Sequence, residues 1–158
     1  MQQPQILTQH RWLERLAGEW MESSEAVAAP PSNSTWTETV RSIGGLWVAS
    51  EGRGMTPDGT PGETVLTLGY DPARDRYVGT WIGSMMTYMW IYEGSLDPTG
   101  NVLTLDCEGP DFWNEGKLGR YRDIITFIDD DHRSLTAVVQ KEDGSWEKFM
   151  ETHYWRRK

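Results

Sequence analysis

From residue 18 onward the chain alternates apolar and polar positions in short runs, each closed by a cluster of Gly, Pro, Asp or Asn. Alternation with a period of two is the mark of strands with one face buried. Before residue 18 the period differs. Trp12, Leu13 and Leu16 fall at i, i+1 and i+4, which predicts one amphipathic helix over 8–17, capped by Thr8 and stopped by Gly18. Turn signals such as Ile43-Gly-Gly45, Thr56-Pro-Asp-Gly59, Asp71-Pro72, Asp97-Pro-Thr-Gly100 and Glu142-Asp-Gly144 then divide the rest into about ten strands. These are expected near 18–26, 34–43, 46–55, 63–70, 76–83, 86–96, 101–108, 120–129, 133–140 and 146–155. The gaps are too short for crossover helices, so each strand pairs with its sequence neighbour. The expectation is an all-β chain, residues 1–158 forming one up-and-down antiparallel barrel with a short N-terminal helix.

Nine tryptophans are spread from Trp12 to Trp155. Aromatics at this density either fill a barrel or wall an apolar cavity inside it, and the pattern leaves both open. The densest group is Tyr77, Trp81, Met85, Met86, Tyr88, Met89, Trp90 and Tyr92. Alternation puts Tyr77 and Trp81 on one face of a strand and Tyr88, Trp90 and Tyr92 on one face of the next, a set suited to a flat or flexible apolar ligand or to plain core. The loop at 109–119 is the longest connection, a lid or an ordinary surface loop.

Composition narrows the partners. With 24 acidic and 15 basic residues the net charge is −9, which disfavours nucleic acid and anionic membranes. No apolar run approaches the roughly 20 residues that span a bilayer, and the N-terminal residues lack the pattern of a secretory signal. The basic Arg156-Arg157-Lys158 reads as a solvated end. A single Cys107 in an acidic setting makes neither a disulfide nor a reactive thiol, so a cytoplasmic location is expected. A homodimer through an outer barrel face is compatible with the pattern.

Several phrases occur in order along the chain: Leu16-Ala-Gly-Glu-Trp20, Ile43-Gly-Gly-Leu-Trp47, Leu68-Gly-Tyr-Asp71, and Gly94-Ser-Leu-Asp97 followed by Gly100. Together, over about residues 8–156, they resemble a bacterial family catalogued as domain of unknown function 1579. The resemblance implies a lipocalin-like, or calycin, barrel and a cavity, but no activity. Calycin-like barrels include carriers, haem-binding nitrobindins and phenolic acid decarboxylases, and fold does not transmit function among them.

Candidate chemistry rests on charged residues within strands. Glu51 and Arg53 share a parity with Trp47, so if Trp47 faces inward they do too. With Tyr88 or Tyr92 they then form the Arg–Glu–Tyr set of a cofactor-independent lyase or isomerase, and an outward solvated pair is the alternative. Arg41, Arg120 and Arg122 suit either an anionic head at the barrel mouth or surface ion pairs, with Arg122 counted among the ligand contacts. His153, late in the chain, is the one residue whose place resembles a nitrobindin haem ligand. His132 lies in an acidic turn without the spacing of a metal loop. No phosphate loop, nucleophile elbow or paired-Cys motif is present, and no cofactor is expected. The leading expectation is a carrier for a small apolar or aromatic molecule, bound by Trp47, Tyr77, Trp81, Tyr88, Trp90, Tyr92 and Arg122. A filled interaction module is the third possibility.

Overall fold

The structure, a computed structural model, describes residues 2–23 and 35–158. The predicted turn at 29–33, residues 24–26 of the first predicted strand and residue 34 of the second lie outside the described residues. Helix α1 (Thr8–Leu13) runs into a 3-10 turn (Glu14–Leu16), followed by β1 (Gly18–Ser23), β2 (Trp36–Ile43), β3 (Trp47–Met55), β4 (Pro61–Asp71) and β5 (Arg76–Gly83). Then come β6 (Trp90–Leu96), β7 (Val102–Pro110), β8 (Leu118–Asp129), β9 (His132–Gln140) and β10 (Trp146–Arg156). Each strand pairs antiparallel with its sequence neighbour, and β1 pairs with β10, Trp20 opposite Arg156, so the sheet closes into a barrel. Closure leaves no edge to template further pairing.

Most strand boundaries follow the alternation; β6 is the main exception, starting at Trp90 rather than near 86. Pairing of β5 with β6 ends at Trp81 opposite Trp90. Residues 84–89 then leave the ladder and turn over the barrel rim, where the Trp90 indole donates to Met86 Sδ (3.1 Å) and Tyr88 Oη donates to the Glu108 carbonyl (2.9 Å). Tertiary contacts override the strand propensity of this Met- and Tyr-rich segment.

The helical segment plugs one end of the barrel. Trp12, Leu13, Leu16 and Trp20 are buried, with Trp12 against Tyr77 and Phe127 (ring centroids 5.8 and 5.6 Å) and its indole donating to the Gly100 carbonyl (2.6 Å). Burial of each such side chain contributes roughly 1.5–3 kcal/mol. Thr8 is the first helical residue rather than the cap. The Leu7 N–H is instead satisfied by His10 Nδ1 (3.0 Å), the third residue of the helix reaching back. Arg156 is also not a solvated terminus. Its guanidinium donates to the carbonyls of Ala17 (2.6 Å), Arg15 (2.9 Å) and Asp130, and lies over the Trp20 ring at 4.3 Å, latching the closing seam to the plug. Gly18 permits this: its φ is +123°, and a Cβ there would sit 2.7 Å from Arg156 Nη1.

The inward face of β3 is the opposite of the one expected from Trp47. Val48, Ser50 and Gly52 are buried, whereas Trp47, Glu51 and Arg53 point outward, Trp47 being 44% exposed. The cause is packing volume. Trp36, on the facing strand, lays its ring over Gly52 and Gly62, so this wall of the interior takes small residues only. Trp47 covers Gly69 from outside.

Candidate functional site

Away from the helical plug the barrel is hollow, enclosing a cavity of about 840 Å³. Its mouth lies at the hairpin ends opposite the helix, where Met55, Met85, Phe112 and Phe149 stand half-exposed. A pocket of this size suits one small organic molecule. Trp36, Trp81, Trp90, Tyr92 and Tyr121 supply aromatic walls, and Leu66, Leu105, Ile125 and Leu135 supply aliphatic ones.

Strand alternation places polar groups on this apolar surface. Arg133 of β9 is 4% exposed and sits between the rings of Trp20 (4.6 Å) and Tyr154 (4.2 Å). Glu38 of β2 pairs with it at 3.8 Å and accepts a hydrogen bond from Ser50 Oγ (2.7 Å). Glu22 of β1 also lines the cavity; burial lifts its pKa above the ordinary value, with the Glu38 charge adding to the effect. Burial, then the same two carboxylates, push the Tyr154 phenol well above its usual range. Among the described residues Arg133 Nε has no hydrogen-bond partner.

A second polar point lies on β8. Asp123 accepts a hydrogen bond from Tyr92 Oη at 2.5 Å, and burial raises its pKa although that hydrogen bond opposes the shift. Cys107, from the adjacent β7, lines the same wall, and burial with the Asp123 and Asp106 charges pushes its thiol up to about 12. Such a thiol is a poor nucleophile at neutral pH. Among the described residues no group of three or more His, Cys, Asp or Glu side chains is arranged to hold a metal ion.

Of the residues singled out from sequence, Trp81, Trp90 and Tyr92 meet on the cavity wall. Tyr77 faces inward but is buried against the plug, its hydroxyl donating to the Gln9 carbonyl (2.9 Å), and Tyr88 packs behind Trp90 with ring centroids 5.1 Å apart. Trp47, Glu51 and Arg53 lie outside the barrel, where Arg53 pairs with Glu63 at 3.6 Å, so the Glu51–Arg53–Tyr set cannot assemble. Arg122 is outside as well, bound to Asp106 (2.7 Å) and lying over Trp146 at 4.0 Å, because its neighbours Tyr121 and Asp123 take the inward positions.

His153 is buried on the outer side of the sheet. Thr152 and Tyr154 flank it and point into the cavity, while His153 meets His132 (2.8 Å) and Glu151 (3.3 Å). It therefore cannot reach a group held inside. The parity of β10 is set by a register shift between Lys148 and Met150, which lets both Phe149 and Met150 reach the cavity and leaves Trp146 outside under Arg122.

Glu22, Asp123, Arg133 and Tyr154 escaped the sequence reading. Each carries a recognisable signal: a polar group on the apolar parity of its strand, as in Tyr121-x-Asp123-x-Ile125-x-Phe127 and Arg133-x-Leu135-x-Ala137.

The family described as a protein of unknown function (DUF1579) matches residues 5–156, and the chain belongs to that family. No curated protein matches the chain.

Proposed function

We propose that this DUF1579 protein binds a small, largely apolar or aromatic molecule within its barrel. The observation that carries the reading is the cavity of about 840 Å³, open at one end among the described residues and walled by Trp36, Trp81, Trp90 and Tyr92. Empty apolar space of this volume forfeits the packing that fills the helical end of the same barrel, and an occupant restores it. The net charge of −9 and the lone Cys107 support a small molecule, rather than nucleic acid or a membrane, in a reducing, cytoplasmic setting. Native mass spectrometry of the purified protein, with titration of an uncharged hydrophobic fluorophore, tests the proposal. A retained small molecule, or saturable one-to-one fluorophore binding abolished when Ala137→Trp fills the cavity, supports it. No saturable binding by the wild type defeats it.

A second reading, a cofactor-independent lyase or isomerase, draws on one observation. The Glu–Arg–Tyr combination sought in sequence exists inside the cavity as Glu38, Arg133 and Tyr154, with Glu22 beside them as a carboxyl of raised pKa. If it holds, a ligand captured by Glu22→Gln persists unchanged in that variant but is converted when transferred to wild type, as mass spectrometry would read.

A further inference from the structure

The charge inside the cavity is unbalanced. Glu22, Glu38 and Asp123 line it, and Arg133 is the one cation among its described lining residues. Arg133 is already committed: it pairs with Glu38 and is held between Trp20 and Tyr154. Asp123 sits on a different wall, where among the described residues its partner is the Tyr92 hydroxyl and no cationic side chain reaches it. Trp36, Trp90, Tyr92 and Tyr121 line the same cavity as these carboxyl groups. A buried carboxylate beside electron-rich rings is the environment that stabilises a desolvated ammonium group.

From this arrangement, and on the premise that the cavity binds a ligand, we infer that the occupant is a cationic amphiphile, an aliphatic or aromatic amine whose ammonium group is held by Asp123 and whose apolar body lies along the Trp and Leu walls. A carboxylate-headed ligand would meet three acidic groups and find the single guanidinium engaged. The net negative charge of the chain favours the approach of a cation and disfavours that of an anion.

Three ligands of equal chain length separate the possibilities: decylamine, decanol and decanoate, each titrated calorimetrically at pH 7 below its micellar concentration. Decylamine is expected to bind at least about 10-fold more tightly than either of the others, as a charge-assisted hydrogen bond in a desolvated site would give. Asp123→Asn, nearly isosteric, should bring decylamine to the affinity of decanol while leaving decanol unchanged. Equal or tighter binding of decanoate overturns the assignment of charge, and a decylamine preference that survives Asp123→Asn overturns the placement of the ammonium group at Asp123; both leave ligand binding intact. Failure of all three to bind overturns both this inference and the reading on which it rests. If Asp123→Asn does not fold, Glu22→Gln and Glu38→Gln take its place: both should keep the decylamine preference, and its loss in either moves the ammonium group away from Asp123.

Discussion

Replacing Arg133 by Met keeps an unbranched stem that ends about where Arg Nε stands, strips the guanidinium from between Trp20 and Tyr154, and leaves Glu38 without its ion-pair partner. Both members of the pair are buried, with side-chain exposures of 5% and 13%. Removing one partner of a buried pair typically costs about 3–5 kcal/mol, because the other charge stays desolvated and uncompensated. Loss of the cation–π contacts at 4.6 and 4.2 Å adds a smaller amount. For a chain of 158 residues, a loss of about 3–5 kcal/mol lowers Tm by roughly 6–20 °C, at about 2–4 °C per kcal/mol. The double variant Arg133→Met with Glu38→Gln removes both charges and should recover more than half of the loss. Urea unfolding of the wild type, both single variants and the double variant at pH 7 gives the coupling energy directly. A single-variant cost below about 1 kcal/mol, or a double variant no better than Arg133→Met alone, would refute the claim that the charges depend on one another.

Three further outcomes are expected. The difference in stability between Asp123→Asn and wild type should depend on pH: burial raises the Asp123 pKa above its ordinary 3.8, so the folded state binds more protons than the unfolded one from about pH 4 upward. Wild type therefore loses stability relative to the variant as pH rises through that window and levels off above it, and urea midpoints that differ by a pH-independent amount would contradict this. Gly94→Ala should cost about 1–3 kcal/mol or more, because its Cβ would collide with the Thr104 carbonyl oxygen, a backbone atom of the paired strand, whereas exposed Ser95→Ala should be nearly neutral by thermal unfolding. Cys107 should react with a disulfide reagent at pH 8 at least about 10-fold more slowly than a free thiol, its thiol being pushed up to about 12; a rate equal to that of free cysteine would show that the wall is open to solvent.

The barrel was legible because antiparallel strands with one buried face repeat a strong local signal, and short turns leave few ways to connect them. Side-chain direction was legible only where neighbours agreed. Tyr77 and Trp81 alternate as read, and the bulky aromatic of β5 does face in. On β3 the assumption that the largest side chain points inward failed, because Trp36 occupies the space and β3 answers with Ser50, Gly52 and Gly54. Steric complementarity between strands is a tertiary property that a single strand does not encode. On β10 the shift between Lys148 and Met150 breaks the alternation itself, so no fixed parity could describe both ends. The polar groups of the cavity were within reach of the alternation argument, since Asp123 and Arg133 interrupt otherwise apolar faces. Catalytic habit favoured Glu51 and Arg53, two residues apart on one strand, over residues that only barrel closure brings together.

The seam that closes this barrel joins residues made far apart in time. Arg156 donates to the carbonyl of Ala17, 139 residues away in the chain. At a synthesis rate of about 5–20 residues per second, β1 waits roughly 7–28 s for its partner. During that interval both growing ends of the sheet are unpaired and the Trp20 side chain lacks the guanidinium that later covers it. A nascent chain in this state offers other proteins an adhesive strand, so the protein's yield in a cell depends on how well that half-finished sheet is shielded as well as on the stability of the finished barrel.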